Sequence, residues 1–280
     1  MPANRTTVFL LVILCLSCAG CVHHNAPAKR AASFSLYNDA KVGEESLWEY
    51  LIARSGILLE GESLDTTSLS TNSFQFSIKN AGFGTVTAID KRGYFLTAAH
   101  CVEKGQVWLA FVRDGKLQVD RGRIVWRGDK RKREPDLAIV CVSQPIGSTF
   151  QWAEEFTNGS PVMDVGLSID DHSRHSRGLE PQFMAGRVLE VSEAQSADSL
   201  GYSVVSHSSP IRPGDSGGPL VLSDGQLLGI NVIVRLGFQW SHLSFEPERS
   251  EAHRPDLVWL QKVIDADAAL QSMSCPNPGR

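Results

Sequence analysis

From about residue 74 the apolar residues fall into short runs separated by turn residues. Residues 83–89 and 94–97 flank Asp90-Lys91-Arg92-Gly93, which reads as a hairpin. Residues 107–112 and 116–119 flank Asp114-Gly115, a strong two-residue turn signal. Residues 124–126 and 137–142 follow as strands. A second group covers 162–167, 183–191, 202–205, 220–222 and 227–234, with Ser223-Asp224-Gly225 turning between the last two. A break near 147–160 separates the groups. Many short strands punctuated by turns predict an all-β chain of barrels or a sandwich. Helical spacing is confined to the ends. Asn38 or Asp39 is expected to cap a helix running to about Arg54, with Val42, Leu47, Trp48, Leu51 and Ile52 as its stripe and Gly56 as its stop. Residues 61–73 read as a loop. A closing helix is expected from about Pro255 to Leu270, with Pro255 in its first turn and Leu257, Leu260 and Ile264 on one side.

The first 21 residues do not fit this pattern. Arg5 is their one charge, and the apolar run at 8–16 is too short for a bilayer, which needs about 20 residues. Small residues follow at 17–20. Residues 1–20 read as a secretory signal peptide. Cys18-Ala19-Gly20-Cys21 resembles the lipobox of bacterial lipoproteins, although Cys18 stands where that family usually has leucine. The resemblance implies cleavage before Cys21 and a diacylglycerol on its thiol; ordinary signal cleavage nearby is the alternative. Residues 22–75 are then a tether and N-terminal extension. Cys101, Cys141 and Cys275 remain, an odd number for an oxidising compartment. At most one bridge can join them within the chain, and Cys101 and Cys141 read as small buried hydrophobes.

Composition narrows the class. The chain has 280 residues, 42% hydrophobic and 21% charged, enough for one large domain or two small ones. Its net charge of −4 gives no general pull toward nucleic acid.

The stretch Arg212-Pro-Gly-Asp-Ser-Gly-Gly-Pro-Leu-Val221 is either a glycine-rich turn or a nucleophile site at Ser216. A serine hydroxyl needs a base to take its proton and a third group to orient that base. The oxyanion formed by attack needs backbone N–H donors. His100, in Leu96-Thr-Ala-Ala-His-Cys-Val102, follows a strand and can be the base. Asp136, in Glu134-Pro-Asp-Leu-Ala-Ile-Val140, heads an apolar strand and can be the orienter. Gly214 and Ser216 can supply the amides. Each is weak alone; the ordered set His, Asp, Ser is not.

TAAHC, DLAIV and GDSGGP resemble the chymotrypsin-like, or trypsin-like, serine proteases over roughly residues 76–270. That resemblance implies two six-stranded antiparallel β barrels with a C-terminal helix, here after a partly helical N-terminal extension. The protease domain is expected at 76–272, with barrels at about 76–150 and 160–245 and the helix at about 255–270. It implies His100 as general base, Asp136 as its orienter, Ser216 as nucleophile, and the Gly214 and Ser216 amides as oxyanion hole. Asn231, Val232 and Ile233 are implied as the strand that pairs with substrate. No metal or organic cofactor is implied.

The local style, including Gly82-Phe83-Gly84 and the run from Ser216 to Asn231, is similar to bacterial HtrA-type proteases, but no PDZ domain fits after Pro219. Cys101 lacks the upstream cysteine that pairs with it in animal relatives. A lipidated Cys21 has no free amine to offer Asp215, so either a later cleavage occurs around Arg54-Ser-Gly-Ile-Leu58 or, the favoured reading, no zymogen step exists. The position where trypsin carries its specificity acid is Pro210, which argues against cleavage after Lys or Arg and for a small or medium apolar residue. His207 reads as a loop histidine. His172 and His175 read as part of a solvated loop, with too few ligands for a metal. Arg127-Gly128-Asp129 reads as the start of an exposed charged loop ending at Glu134, able to touch anionic lipid or a partner.

The expected protein is a secreted, lipid-anchored bacterial serine endopeptidase acting on proteins or peptides of the envelope. Its place is the periplasmic face of the outer membrane, and Val22 after Cys21 is compatible with that sorting. The alternative is a catalytically idle homologue that serves as an envelope binding protein. The sequence does not specify the oligomeric state.

Overall fold

The computed structural model describes residues 41–62, 64–69, 74–78, 82–103, 105–166, 182–239 and 244–274. The expected signal peptide, Cys21, His172, His175 and Cys275 lie outside the described residues. Two closed antiparallel barrels of six strands each carry the fold, so the expected all-β architecture holds.

The first barrel consists of β3 (Ser55–Gly61), β6 (Gly82–Asp90), β7 (Tyr94–Thr97), β8 (Gln106–Arg113), β9 (Lys116–Arg127) and β10 (Ala138–Cys141). The second consists of β11 (Pro161–Gly166), β12 (Gln182–Gln195), β13 (Gly201–His207), β14 (Pro219–Leu222), β15 (Leu227–Gln239) and β16 (Ser244–Pro255). Taken in chain order within each barrel, the first, second and third strands are neighbours, and the sixth, fifth and fourth close the ring. The two barrels share one topology.

Five expectations require correction. β3 lies in the stretch read as N-terminal extension, yet it pairs with β6 and β8, so the first barrel takes in residues well before 76. Leu58 enters the main core while Ile57 and Leu59 pack in a separate cluster with Ala110 and Leu117. A strand buried on both faces shows no alternation, so its apolar run carries no period-2 signature. β16 also extends the second barrel past 245. Its sequence is polar and holds two prolines, Pro247 and the terminal Pro255, but β13 and β15 bind it on both sides. Pairing here outweighs propensity.

The helix expected from residue 38 or 39 is reduced to α1 (Leu47–Ile52). Gly43 turns the chain at φ 62, making a small hairpin of β1 (Lys41–Val42) and β2 (Glu45–Ser46). Ser46 then starts the helix in a capping box with Glu49. The loop expected at 61–73 instead carries β4 (Leu64–Leu69), which pairs with β5 (Phe74–Ile78).

The closing helix α2 (Leu257–Ser274) starts later than expected. Pro255 ends β16, and Asp256 caps the helix by accepting from the Val258 and Trp259 amides at 2.8 and 2.9 Å. The helix returns to the first barrel. Tyr94 donates to Asp267 at 2.8 Å, Arg123 pairs with the same carboxylate, and the Trp126 and Trp259 rings meet edge-on at 4.7 Å. Leu260 and Ile264 complete its buried face. Asp114 and Gly115 both take positive φ, 52 and 70, as the predicted two-residue hairpin requires.

Candidate active site

Strand pairing brings His100 and Asp136 together. Antiparallel β7 and β10 match Thr97 with Ala138, so the end of one strand lies beside the start of the other. His100 sits on a short 3-10 turn, Ala99–Cys101, directly after β7. Asp136 sits just before β10. The Ala99 amide donates to Asp136 O at 3.2 Å, and the His100 amide to Asp136 Oδ1 at 3.0 Å. His100 Nδ1 meets Asp136 Oδ2 at 2.9 Å. Two bonds from one carboxylate therefore hold both the backbone and the ring of the histidine.

The electrostatics follow from this pair. The Asp136 hydrogen bond and then the Cys101 side chain raise His100 to about 10, against the opposing effect of burial. Burial works against ionising Asp136, but the His100 bonds and charge, with Lys130 adding to them, hold its carboxyl below the usual range. Lys130 Nζ is 4.0 Å from Asp136 Oδ2. The His100 side chain keeps a third of its surface open, 33%, while Asp136 keeps 15%.

His253 supports Asp136 from behind and was not singled out from sequence. It lies on β16, and its Nδ1 accepts from the Asp136 amide at 2.9 Å. Burial pushes His253 down to about 4, with Asp136 and Glu251 opposing, so the ring is neutral at pH 7 and free to accept. Nothing in Ala252-His253-Arg254 distinguishes it in the sequence, because the contact depends on where β16 closes the second barrel.

Ser216 lies in the turn between β13 and β14. The first barrel fastens this turn at three points. The Thr85 amide donates to Ser216 O at 2.8 Å, Thr85 Oγ1 to Gly214 O at 2.7 Å, and Thr87 Oγ1 to Gly217 O at 2.9 Å. All three threonine and serine contacts are made by β6, the strand beside the one that leads to His100. Gly217 has φ 88, and a β-carbon there would run into Thr85 O and Thr97 Oγ1.

Asp215, Gly217 and Gly218 spend their amides inside the protein, on Arg212 O, Asn231 O and Asp215 O at 2.9, 2.8 and 2.9 Å. Among the described residues, the Gly214 and Ser216 amides have no protein acceptor. These are the two donors the sequence singled out for the oxyanion. Gly214 takes φ 98, a conformation that L side chains rarely adopt. Asp215 is buried, and its Oδ2 accepts from the Arg212 amide at 2.7 Å.

The three residues expected to pair with substrate divide. The Asn231 amide donates to Gly218 O at 2.9 Å, and its carbonyl accepts from Gly217. Asn231 therefore supports the serine turn, and its side chain bonds Asp164 in the barrel interior. Pairing of β14 with β15 ends at Ile230, so the open edge of β15 begins after Asn231, at Val232 and Ile233. Val232 is buried and Ile233 is 39% exposed.

His207 is not a loop residue. It ends β13 and is fully buried near Asn231, where desolvation pushes it down to about 4 against the opposing effects of Asn231 and Glu251. Cys101 and Cys141 are both free and buried, as expected. Gly128 of the Arg-Gly-Asp tripeptide is buried; Asp129 caps the next turn by accepting from the Arg131 amide at 2.8 Å. Among the described residues no group of acids, histidines or cysteines is gathered to hold a metal, and no helix is long and apolar enough to cross a membrane.

Two barrels of one topology, with a His–Asp pair on the first and a braced serine turn on the second, define a trypsin-like peptidase domain. A family model for that domain matches residues 82–230, and the chain belongs to the trypsin-like peptidase family. The Bacillus subtilis serine protease Do-like HtrA is 23% identical over 205 residues, covering 71% of this chain and 44% of that protein. HhoA of Synechocystis sp. is 28% identical over 163 residues, covering 55% and 38%. The chain thus spans less than half the length of these curated relatives. Among solved structures, the HtrA-type protease AlgW with tripeptide superimposes with a TM-score of 0.52 at 18% identity, covering 76% of this chain and 60% of that one. The MamO protease domain from Magnetospirillum magneticum gives 0.51 at 14% identity, covering 77% and 98%. At these identities the structural likeness is one of fold.

Proposed function

We propose that the protein is a serine endopeptidase working through Ser216, His100 and Asp136. The observation that carries this reading is the doubly bonded His100–Asp136 pair beside a serine turn whose Gly214 and Ser216 amides are left over from the protein's own bonding. His100 takes the Ser216 proton as the hydroxyl attacks the scissile carbonyl, then gives it to the leaving amine. Asp136 orients the ring and stabilises the imidazolium. The two amides receive the oxyanion, and water resolves the acyl-enzyme by the same steps in reverse order. The substrate backbone adds to the open edge of β15 at Val232 and Ile233. With Pro210 in place of a specificity acid, a small or medium apolar residue precedes the cleaved bond. Cys21 carries the lipid, and the domain acts on envelope or extracellular polypeptides from the periplasmic face of the outer membrane.

Because His100 is raised by Asp136, the free enzyme favours the imidazolium at neutral pH. Activity as kcat/KM therefore rises with pH as that proton is lost. The test is covalent labelling of the full chain by a fluorophosphonate, beside Ser216→Ala and His100→Ala. Labelling of the wild type alone, increasing toward alkaline pH, is the expected result. A folded wild type that stays unlabelled across that range is an idle homologue, and the endopeptidase reading fails. Anchoring is tested separately by mass spectrometry of the mature N-terminus, where an unmodified or absent Cys21 refutes the lipid.

A further inference from the structure

The loop from Arg127 to Glu134 holds five cations and two acids, on a chain whose net charge is −4. Both acids are engaged by backbone amides of the loop itself. Asp129 accepts from the Arg131 amide at 2.8 Å, and Glu134 accepts from the Asp129 amide at 2.7 Å. The cations stay outside: Lys130, Arg131, Lys132 and Arg133 are all exposed. Lys132 is paired with Asp198 at 2.9 Å, which, with the Ala197 amide donating to Lys132 O at 2.7 Å, ties the loop across to the second barrel. Among the described residues, Arg131 and Arg133 have no ion-pair partner. Lys130 lies 4.0 Å from Asp136, so this cationic rim adjoins the His–Asp pair directly.

We propose that the rim formed by Arg131 and Arg133 selects polypeptide substrates with acidic side chains near the scissile bond. The inference rests on the endopeptidase reading and deepens it. A loop tied to both barrels keeps its charges in place, and like-signed guanidiniums with no internal partner leave their fields to an incoming chain. Through Lys130 the loop borders Asp136, which makes a polypeptide held at Ser216 the occupant best positioned to meet its cations. A bilayer would have to reach the same rim beside the cleft. Guanidinium groups suit carboxylates through paired N–H donors.

The test uses the full chain and fluorogenic peptide pairs that differ only in Asp or Glu against Asn or Gln on either side of the cleaved bond. The acidic peptides should be cleaved with kcat/KM about tenfold higher at low salt, and the preference should shrink toward unity in about 0.5 M NaCl. Arg131→Gln/Arg133→Gln should lose most of the preference while taking the fluorophosphonate at the wild-type rate. Equal cleavage of both peptide sets by an enzyme that labels normally overturns the inference alone. Variant-sensitive binding to phosphatidylglycerol vesicles, without charge preference among peptides, assigns the rim to lipid and overturns it too. A wild type that takes no label overturns the endopeptidase reading, and this inference with it.

Discussion

The two barrels have the same strand topology and unlike interiors. Apart from Glu60, the buried polar side chains of the first barrel's strands are hydroxyls: Ser55, Thr85, Thr87 and Thr97. The second buries Asp164, His207, Asp215, Asn231 and Glu251. The difference follows from what each barrel carries. His100 and Asp136 hang on the ends of two paired strands, and an apolar core suffices to hold strands in register. Ser216 lies in a turn with two positive-φ glycines and no regular pairing of its own. Such a turn needs bonds from its surroundings, and Asn231, Asp215 and the threonines of β6 supply them. A buried polar network fixes geometry when every member is satisfied, and it is costly to disturb.

The comparison can be broken first at the carboxylate. Asp136→Asn should reduce kcat by about 10⁴-fold, since the ring loses its orienting acceptor. The same change removes the main cause of the raised His100 value, so the remaining activity should titrate nearer 6.5, the ordinary imidazole value, than 10. A pH profile that does not move would show that Asp136 does not govern His100.

Gly217→Ala attacks the second barrel's turn. With φ 88 and no room against Thr85 and Thr97, the substitution should cost more than about 2 kcal/mol and abolish labelling. Urea unfolding measures it; an unchanged midpoint would refute the bracing described here. Leu58→Ala tests the first barrel at the strand the sequence hid. Leu58 is fully buried in the main core, so the loss should be about 2–5 kcal/mol by the same measurement. A cost below that range would mean that β3 is not an integral stave.

A smaller effect separates the barrels by pH. His207 and His253 are neutral in the fold, with values pushed down to about 4 from 6.5. A folded value below the unfolded one means that the unfolded chain takes up protons first. The contribution of these two histidines to stability is therefore full above pH 6.5 and falls as pH drops toward 4. His253→Gln should flatten part of that fall and, because the Asp136 amide loses its imidazole acceptor, lower kcat at pH 8 as well. The same slope in both proteins would remove His253 from the account. The smallest effect is expected at the Lys132–Asp198 pair, which is exposed; Lys132→Gln should leave the urea midpoint unchanged within error.

Much of this was legible in the chain. Short apolar runs between strong turn signals lie at nearly the observed strand positions, and Asp114-Gly115 forms the turn its residues demand. His100 and Asp136 were legible because each adjoins a recognisable apolar strand, β7 and β10. What escaped has one physical cause. β3 is apolar without alternation, β16 is polar with prolines, and β4 lies in a serine- and threonine-rich stretch; none of these three has a local periodicity that declares a strand.

The sequence by itself determined which residues could do chemistry, because a nucleophile, a base, an acid and glycines at a turn are properties of side chains and short segments. Only the tertiary structure decided that Asn231 braces the serine turn rather than meeting substrate, that His207 is buried, and that His253 stands behind Asp136. These depend on where the last strand closes the second barrel. Ring closure joins residues far apart in the chain, and no local pattern encodes that distance.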